Sequence, residues 1–166
     1  MADRHDVGAS FKSAQSPRFP RVARAVAAYD GFCLTQHGTH HMKLEKFTGR
    51  SAAMRVGDIV YVSGQAAVDA DGSLVGADDF DVQAGQAFAN VERVLLANGT
   101  TMNRVIKVTL FLTSMNDAPK MLALRRQWFA PPYPAESMVE VSALHVPGAK
   151  IVIDVVAARA GPQAAF

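Results

Sequence analysis

This 166-residue sequence has a single cysteine, a small net charge and no long apolar run. Its one cysteine, Cys33, excludes a disulfide within the chain and fits a reducing compartment. No apolar run approaches the roughly 20 residues that a membrane-spanning helix needs. The N-terminus also lacks an uninterrupted apolar segment followed by a cleavage pattern, as a secretory signal would have. We therefore expect a cytoplasmic protein that does not bind a membrane.

The small net charge of +2 is unevenly placed. Residues 1–41 hold five of the 17 basic and three of the 15 acidic residues, so that residues 42–166 hold twelve of each and are neutral. Nucleic-acid binding normally needs a basic face. The charge distribution therefore predicts no nucleic-acid partner.

The composition indicates one globular domain preceded by an extension. An apolar content of 49% and a charged content of 19% are ordinary for a folded protein. We assign residues 1–41 to a loop-rich N-terminal extension with one short helix at 21–29, and residues 42–166 to the domain. The extension holds His37, His40 and His41, a cluster that can bind a metal. Because it lies far from any acidic partner pattern, we interpret it as a tail and predict no metal site.

Hydrophobic periodicity predicts an α+β domain with the order β-β-β-α-β-α-β-β. The best helix covers residues 80–98, with an apolar stripe at i, i+3 and i+4 spacing, capped by Asp78 and Asp79 and ended by Asn98-Gly99. A second helix covers 117–129. Period-2 or continuous apolar runs predict strands at 43–47, 51–56, 59–63, 104–113, 137–144 and 150–158. We expect both helices on one face of a mixed sheet.

The strand predicted at 104–113 carries apolar residues on both faces. Val108, Leu110 and Leu112 alternate with a mixed set that includes Val105 and Phe111. A mixed apolar sheet face without helices predicts an oligomer.

Several blocks of residues together resemble the Rid family (reactive intermediate deaminases, also called YjgF-like proteins). They are Arg-Val-Gly-Asp-Ile-Val-Tyr-Val-Ser-Gly-Gln at 55–65, Val-Ile-Lys-Val-Thr-Leu-Phe-Leu-Thr at 105–113, Met-Asn-Asp at 115–117, Trp-Phe at 128–129 and Pro-Ala-Glu-Ser-Met-Val-Glu-Val at 134–141. The spacing between the blocks is also similar.

The resemblance implies a chorismate-mutase-like subunit that assembles as a homotrimer with a cleft between each pair of subunits. Members of the best-known branch hydrolyse reactive enamines and imines to ketoacids and ammonia, with no metal or cofactor. Their substrate carboxylate is held by an arginine, a bidentate role that suits a guanidinium. A tyrosine, a serine, an asparagine and a glutamate complete that site.

The resemblance places the family's site positions on a divergent set of residues. Ser63 is retained within Ser-Gly-Gln, and Gln65 and Ser137 lie in matching blocks. Arg50 stands at the tyrosine position, Leu122 at the asparagine position and Val152 at the glutamate position, with Asp154 two residues further on.

The arginine position is Glu136, which follows the proline-rich turn at 131–134. The exchange replaces attraction for a carboxylate by repulsion. Two unit charges about 4 Å apart interact by ~4 kcal/mol at a dielectric constant of about 20. We therefore expect a substrate other than the usual 2-iminoacid. Arg125 and Arg126 are assigned to a solvated face of the second helix, with the alternative that one of them reaches the rim of the cleft.

Three interpretations remain open. In the first, Glu136 and Ser63 are catalytic, Glu136 serves as general base on water, Arg50 recognises an anion, and Gln65, Ser137, Leu122 and Val152 contact the small-molecule substrate. In the second, Glu136 and Arg50 form an ion pair in a non-catalytic metabolite-binding or regulatory trimer. The third is a ribonuclease, which the neutral domain disfavours.

Overall fold

The computed structural model describes residues 50–159, which form five strands and two helices. In chain order they are β1 (Ala53–Val56), β2 (Ile59–Ala66), α1 (Phe80–Ala97), β3 (Val105–Leu112), α2 (Ala118–Trp128), β4 (Ala135–Glu140) and β5 (Ile151–Ala158). Single 3-10 turns at Met102–Arg104 and Met115–Asp117 precede β3 and α2. The strand predicted at 43–47, the helix at 21–29, the histidine cluster and the boundary at residue 42 lie outside the described residues.

The five strands form one mixed sheet in the order β1-β2-β5-β3-β4. β3 and β4 are parallel, and every other neighbouring pair is antiparallel. Parallel neighbours need a crossover connection, and α2 lies in the connection between β3 and β4. The predicted α+β fold, with two helices on one face of a mixed sheet, is confirmed.

Helix α1 begins and ends where its capping residues predict. The Asp79 carboxylate accepts hydrogen bonds from the backbone N–H groups of Asp81 (2.9 Å) and Val82 (3.2 Å). At the other end Asn98 is the C-cap and Gly99 has φ +73°, which glycine adopts without steric cost. Of the two predicted capping aspartates, Asp79 therefore serves as the cap.

The hydrophobic core lies between the helices and one face of the sheet, which we call the helix face. Phe88 of α1 is fully buried, and its ring stacks on Trp128 with centroids 5.3 Å apart and meets the edge of Phe129 at 5.8 Å. The predicted apolar stripe of α1 is buried at every position: Phe80, Ala84, Ala87, Phe88, Val91, Val94 and Leu95. Neither helix within residues 50–159 has the length and hydropathy of a membrane span.

The opposite face of the sheet, the open face, is mixed as predicted. Lys107, Thr109 and Phe111 of β3 are half-buried, and Tyr61 of β2 is exposed. The prediction was wrong for Val105, which is 7% exposed and packs in the core. The register of β3 against β5 shifts between Val105 and Lys107, and this irregularity interrupts the alternation of faces.

Strand β4 starts two residues earlier than the predicted strand at 137–144 and ends four residues earlier, at Glu140. It runs in register with β3 from the pair Lys107–Ala135 to the pair Leu112–Glu140. β3 ends at Leu112, and one further hydrogen bond joins Val141 N to Leu112 O (2.8 Å). Since β4 is an edge strand, its length depends on its single neighbour.

Candidate functional site

The sheet divides the predicted site residues into two groups on opposite faces. Glu136 pairs across β3–β4 with Val108, a fully buried core residue, so its side chain lies on the helix face. Ser137, the next residue, pairs with Thr109 on the open face. We call Glu136, Leu122 and Arg125 the helix-face group, and Ser63, Ser137 and Val152 the open-face group.

The helix-face group is built around an ion pair between α2 and β4. Arg125 Nη1 contacts Glu136 Oε1, and the two side chains are 33% and 19% exposed. Leu122 lies three residues before Arg125, a spacing that puts both on one side of the helix, and it is 42% exposed. This arrangement sets a charged pair beside an accessible apolar side chain.

A second carboxylate on β4 fixes α2 at its other end. Glu140 Oε2 accepts a hydrogen bond from Met115 N (2.6 Å), in the 3-10 turn before the helix. Glu136 and Glu140 have the same parity along β4, so both face the helix. Met138 lies between them and packs against the core. The position of Arg125 is thus determined by contacts at both ends of α2.

Arg125 was not among the predicted site residues: the preferred assignment placed it with Arg126 on a solvated face, and the alternative placed one of the two at the rim of the cleft. Arg126 is exposed, whereas Arg125 is half-buried. The available signal was the apolar residue Met121 of the same helix, because a residue four positions later lies over the same side of a helix. Met121 is fully buried.

Ser137 and Lys107 are neighbours on the open face. Lys107 Nζ donates hydrogen bonds to Ser137 Oγ (2.8 Å) and to Val108 O (3.2 Å). Asp154 pairs with Thr109 in the adjacent row and is half-buried. Ser137 is therefore held by a cation and lies away from Glu136.

Ser63 lies at an irregularity in β2, where the register against β5 shifts between Val62 and Gln65. Its Oγ donates to Ser51 O (2.7 Å), and Gln65 Nε2 donates to Ser63 O (2.7 Å). Between them, a Cβ at Gly64 would lie 2.6 Å from Val152 Cγ1. Ser63, Gln65 and Val152 thus lie near one another.

Arg50 is exposed at the beginning of the described residues. Within one chain, the ion-pair partner of Glu136 is Arg125 rather than Arg50. In residues 50–159 no group of three or more His, Cys, Asp or Glu side chains is placed to hold a metal ion.

Comparison with known proteins gives a consistent family. Residues 43–159 match the family model described as endoribonuclease L-PSP. The RutC family protein y4sK of Sinorhizobium fredii is 36% identical over 107 residues, covering 64% of this chain and 83% of that protein. The human 2-iminobutanoate/2-iminopropanoate deaminase is 31% identical over 112 residues, covering 68% and 80%.

The fold is shared with solved structures of the same group. The Rid family protein YyfA of Yersinia pestis, described as of unknown function, superimposes with a TM-score of 0.63 at 36% identity, covering 67% of this chain and 88% of that one. The family model covers most of the chain, and the relatives extend over most of the domain. The chain therefore belongs to the Rid family.

Proposed function

We propose that the protein is a homotrimeric hydrolase of the deaminase type, which acts on an imine, an enamine or a related C–N substrate in clefts between subunits. Glu136 of one subunit and Ser63 of the next would contribute to the same cleft. Water would add to the C=N carbon, and the carbinolamine would then release ammonia and leave a carbonyl group; an enamine would first tautomerise to the imine. Because position 136 is a glutamate, the substrate of this proposal is not the usual 2-iminoacid, whose carboxylate an arginine would hold there.

The observation that carries this proposal is the division of the site residues between the two faces of the sheet. Within one chain Glu136 and Ser63 lie on opposite faces of the sheet, and two strands, β5 and β3, separate β2 from β4. A cleft formed between two subunits would allow Glu136 of one copy and Ser63 of another to serve one site despite this separation. The exposed apolar side chains of Met54, Tyr61 and Val139 on the open face favour the docking of a second copy.

The chemistry is supported by relatives whose names describe it. The human relative and a relative from Dermatophagoides farinae, 35% identical over 94 residues, are named 2-iminobutanoate/2-iminopropanoate deaminase. In the proposed site Glu136 orients or deprotonates water, and Arg125 holds the Glu136 side chain in place.

A complementation experiment tests both the chemistry and the shared cleft. Ammonia release from imines and enamines generated in situ is measured for the wild type, Glu136→Gln and Ser63→Ala. We expect both variants to lose activity. A mixture of the two, refolded together in equal amounts, should regain about a quarter of wild-type activity. In random assemblies about one quarter of the sites that draw on two subunits combine an intact Glu136 with an intact Ser63. Loss without any recovery would place both residues in one subunit's site, and unchanged turnover in Glu136→Gln would remove its catalytic role.

A non-catalytic metabolite-binding or regulatory trimer is the second candidate. The observation that favours it is the ion pair, because Arg125 already occupies part of the acceptor capacity of the Glu136 carboxylate. A thermal-shift screen of metabolites run beside the ammonia assay separates the two functions. Stabilisation by a compound that yields no product would favour the binding protein.

A further inference from the structure

The Arg125–Glu136 pair keeps much of its hydrogen-bonding capacity. A guanidinium has five N–H donors and a carboxylate two acceptor oxygens, and the contact here joins Nη1 to Oε1. The two side chains remain 33% and 19% exposed. A donor and an acceptor of opposite charge are thus presented side by side at the edge of the sheet.

We propose that this pair recognises a neutral group with a carbonyl acceptor and an N–H donor, such as a carboxamide or a ureido group, and discriminates against a carboxylate. The proposal rests on the proposed function, since it names the substrate class of the same cleft. The ligand carbonyl accepts from Arg125, and the ligand N–H donates to Glu136.

The charges of the pair explain the discrimination. Arg125 and Glu136 together are neutral and offer little net attraction to an anion. A ligand carboxylate close enough to accept from Arg125 would also face the Glu136 carboxylate and be repelled by it. A neutral amide avoids this repulsion and forms two hydrogen bonds, each with a charged partner.

Leu122 supplies the apolar part of the same site. It lies on the same side of α2 as Arg125 and is 42% exposed. A short aliphatic chain attached to the carboxamide would cover this side chain. The preferred ligand is thus a small carboxamide or ureide with an apolar substituent.

The test compares two isosteric probes by titration calorimetry: 2-oxobutanamide and 2-oxobutanoate. Both are carbonyl compounds of the kind that C–N hydrolysis yields, so their binding is measured without turnover. We expect the amide to bind the wild type at least about tenfold more tightly than the carboxylate. Equal or tighter binding of the carboxylate, or no amide binding at millimolar concentration, would overturn the proposal.

Three variants identify the groups responsible. Glu136→Gln removes the charge that repels a carboxylate, so the affinity for 2-oxobutanoate should rise about tenfold and the preference for the amide should reverse. Arg125→Gln should lower the affinity for 2-oxobutanamide about tenfold. The matched control, Arg126→Gln, removes an exposed arginine of the same helix and should leave both affinities unchanged. If Arg125→Gln and Arg126→Gln changed the two affinities equally, the preference for the amide would come from the overall charge of the helix, and the assignment to the Arg125–Glu136 pair would be overturned.

The two proposals fail in distinguishable ways. Amide-selective binding without ammonia release from any imine or enamine would retain the specificity and refute the hydrolase. Ammonia release together with carboxylate-selective binding would retain the hydrolase and refute the specificity.

Discussion

The ion pair between Arg125 and Glu136 makes a measurable contribution to stability that a double-mutant cycle isolates. Exposed ion pairs contribute about 0.2–1 kcal/mol, and breaking a buried pair costs about 3–5 kcal/mol. The side chains here are 33% and 19% exposed, between these limits, and the geometry joins a helix to an edge strand rather than neighbours on one helix. We therefore expect a coupling free energy of about 1–2 kcal/mol.

The cycle consists of the wild type, Arg125→Gln, Glu136→Gln and the double variant, each unfolded in urea. All four proteins are compared at one protomer concentration, because the proposed trimer would make stability depend on concentration. Increasing the salt concentration should reduce the coupling only in part, since partly buried charges are screened less than exposed ones.

A second ion pair, between the N-cap residue and the first turn of the same helix, is the matched control. Lys120 Nζ lies 3.9 Å from Asp117 Oδ1, with side chains 56% and 21% exposed and an i, i+3 spacing. The cycle of Asp117→Asn and Lys120→Gln should give at most about 0.5 kcal/mol. A coupling between Arg125 and Glu136 no larger than this control would refute the argument from burial, and with it the claim that the pair is held in one geometry.

Two further predictions concern the elements that position the site. Gly64→Ala should destabilise the protein by about 1–3 kcal/mol in urea unfolding, because its Cβ would lie 2.6 Å from Val152 Cγ1. Adding Val152→Ala in the same chain should recover part of the lost stability. If the stability losses of the two substitutions simply add, the steric explanation is contradicted. Gln83 is fully buried, and its side chain donates to Gly76 O, Ala77 O and Gly148 O and accepts from Lys150 N. Gln83→Ala should cost about 2–4 kcal/mol in the same assay, because it removes the buried amide and leaves partly buried backbone groups without these hydrogen bonds. By contrast, Gln127→Ala, at an exposed position of α2, should change stability by less than about 0.5 kcal/mol.

The helices and most strands were predictable because their signals are local. The apolar stripe of α1 and its cap at Asp79 are written in consecutive residues, and burial followed the predicted periodicity at each position of the stripe. Val105 shows where this reasoning stops. Its face depends on a register shift against β5, a strand more than 40 residues away, and no local pattern encodes that shift.

The candidate site was predictable only in part, for a related reason. Ser63, Gln65 and Val152, which the matching blocks named, lie near one another. The catalytic and substrate-binding roles assigned to them, and to Arg50, Ser137 and Leu122, stay predictions. Helix periodicity could indicate that Arg125 lies on the inner side of α2, but its pairing with Glu136 was not predictable, because that contact depends on how the helix packs against β4.

The sequence by itself determined the family and the order of the elements, since both depend on residue identity and spacing along the chain. That Glu136 stands at the family's arginine position stays a prediction. The tertiary structure alone decided which positive charge meets that carboxylate. Packing α2 across the parallel pair β3–β4 brings Arg125 to Glu136 and leaves Ser137 on the other face with Lys107. A sheet has two faces and strand residues alternate between them, so consecutive residues of one motif came to serve different surfaces of the molecule.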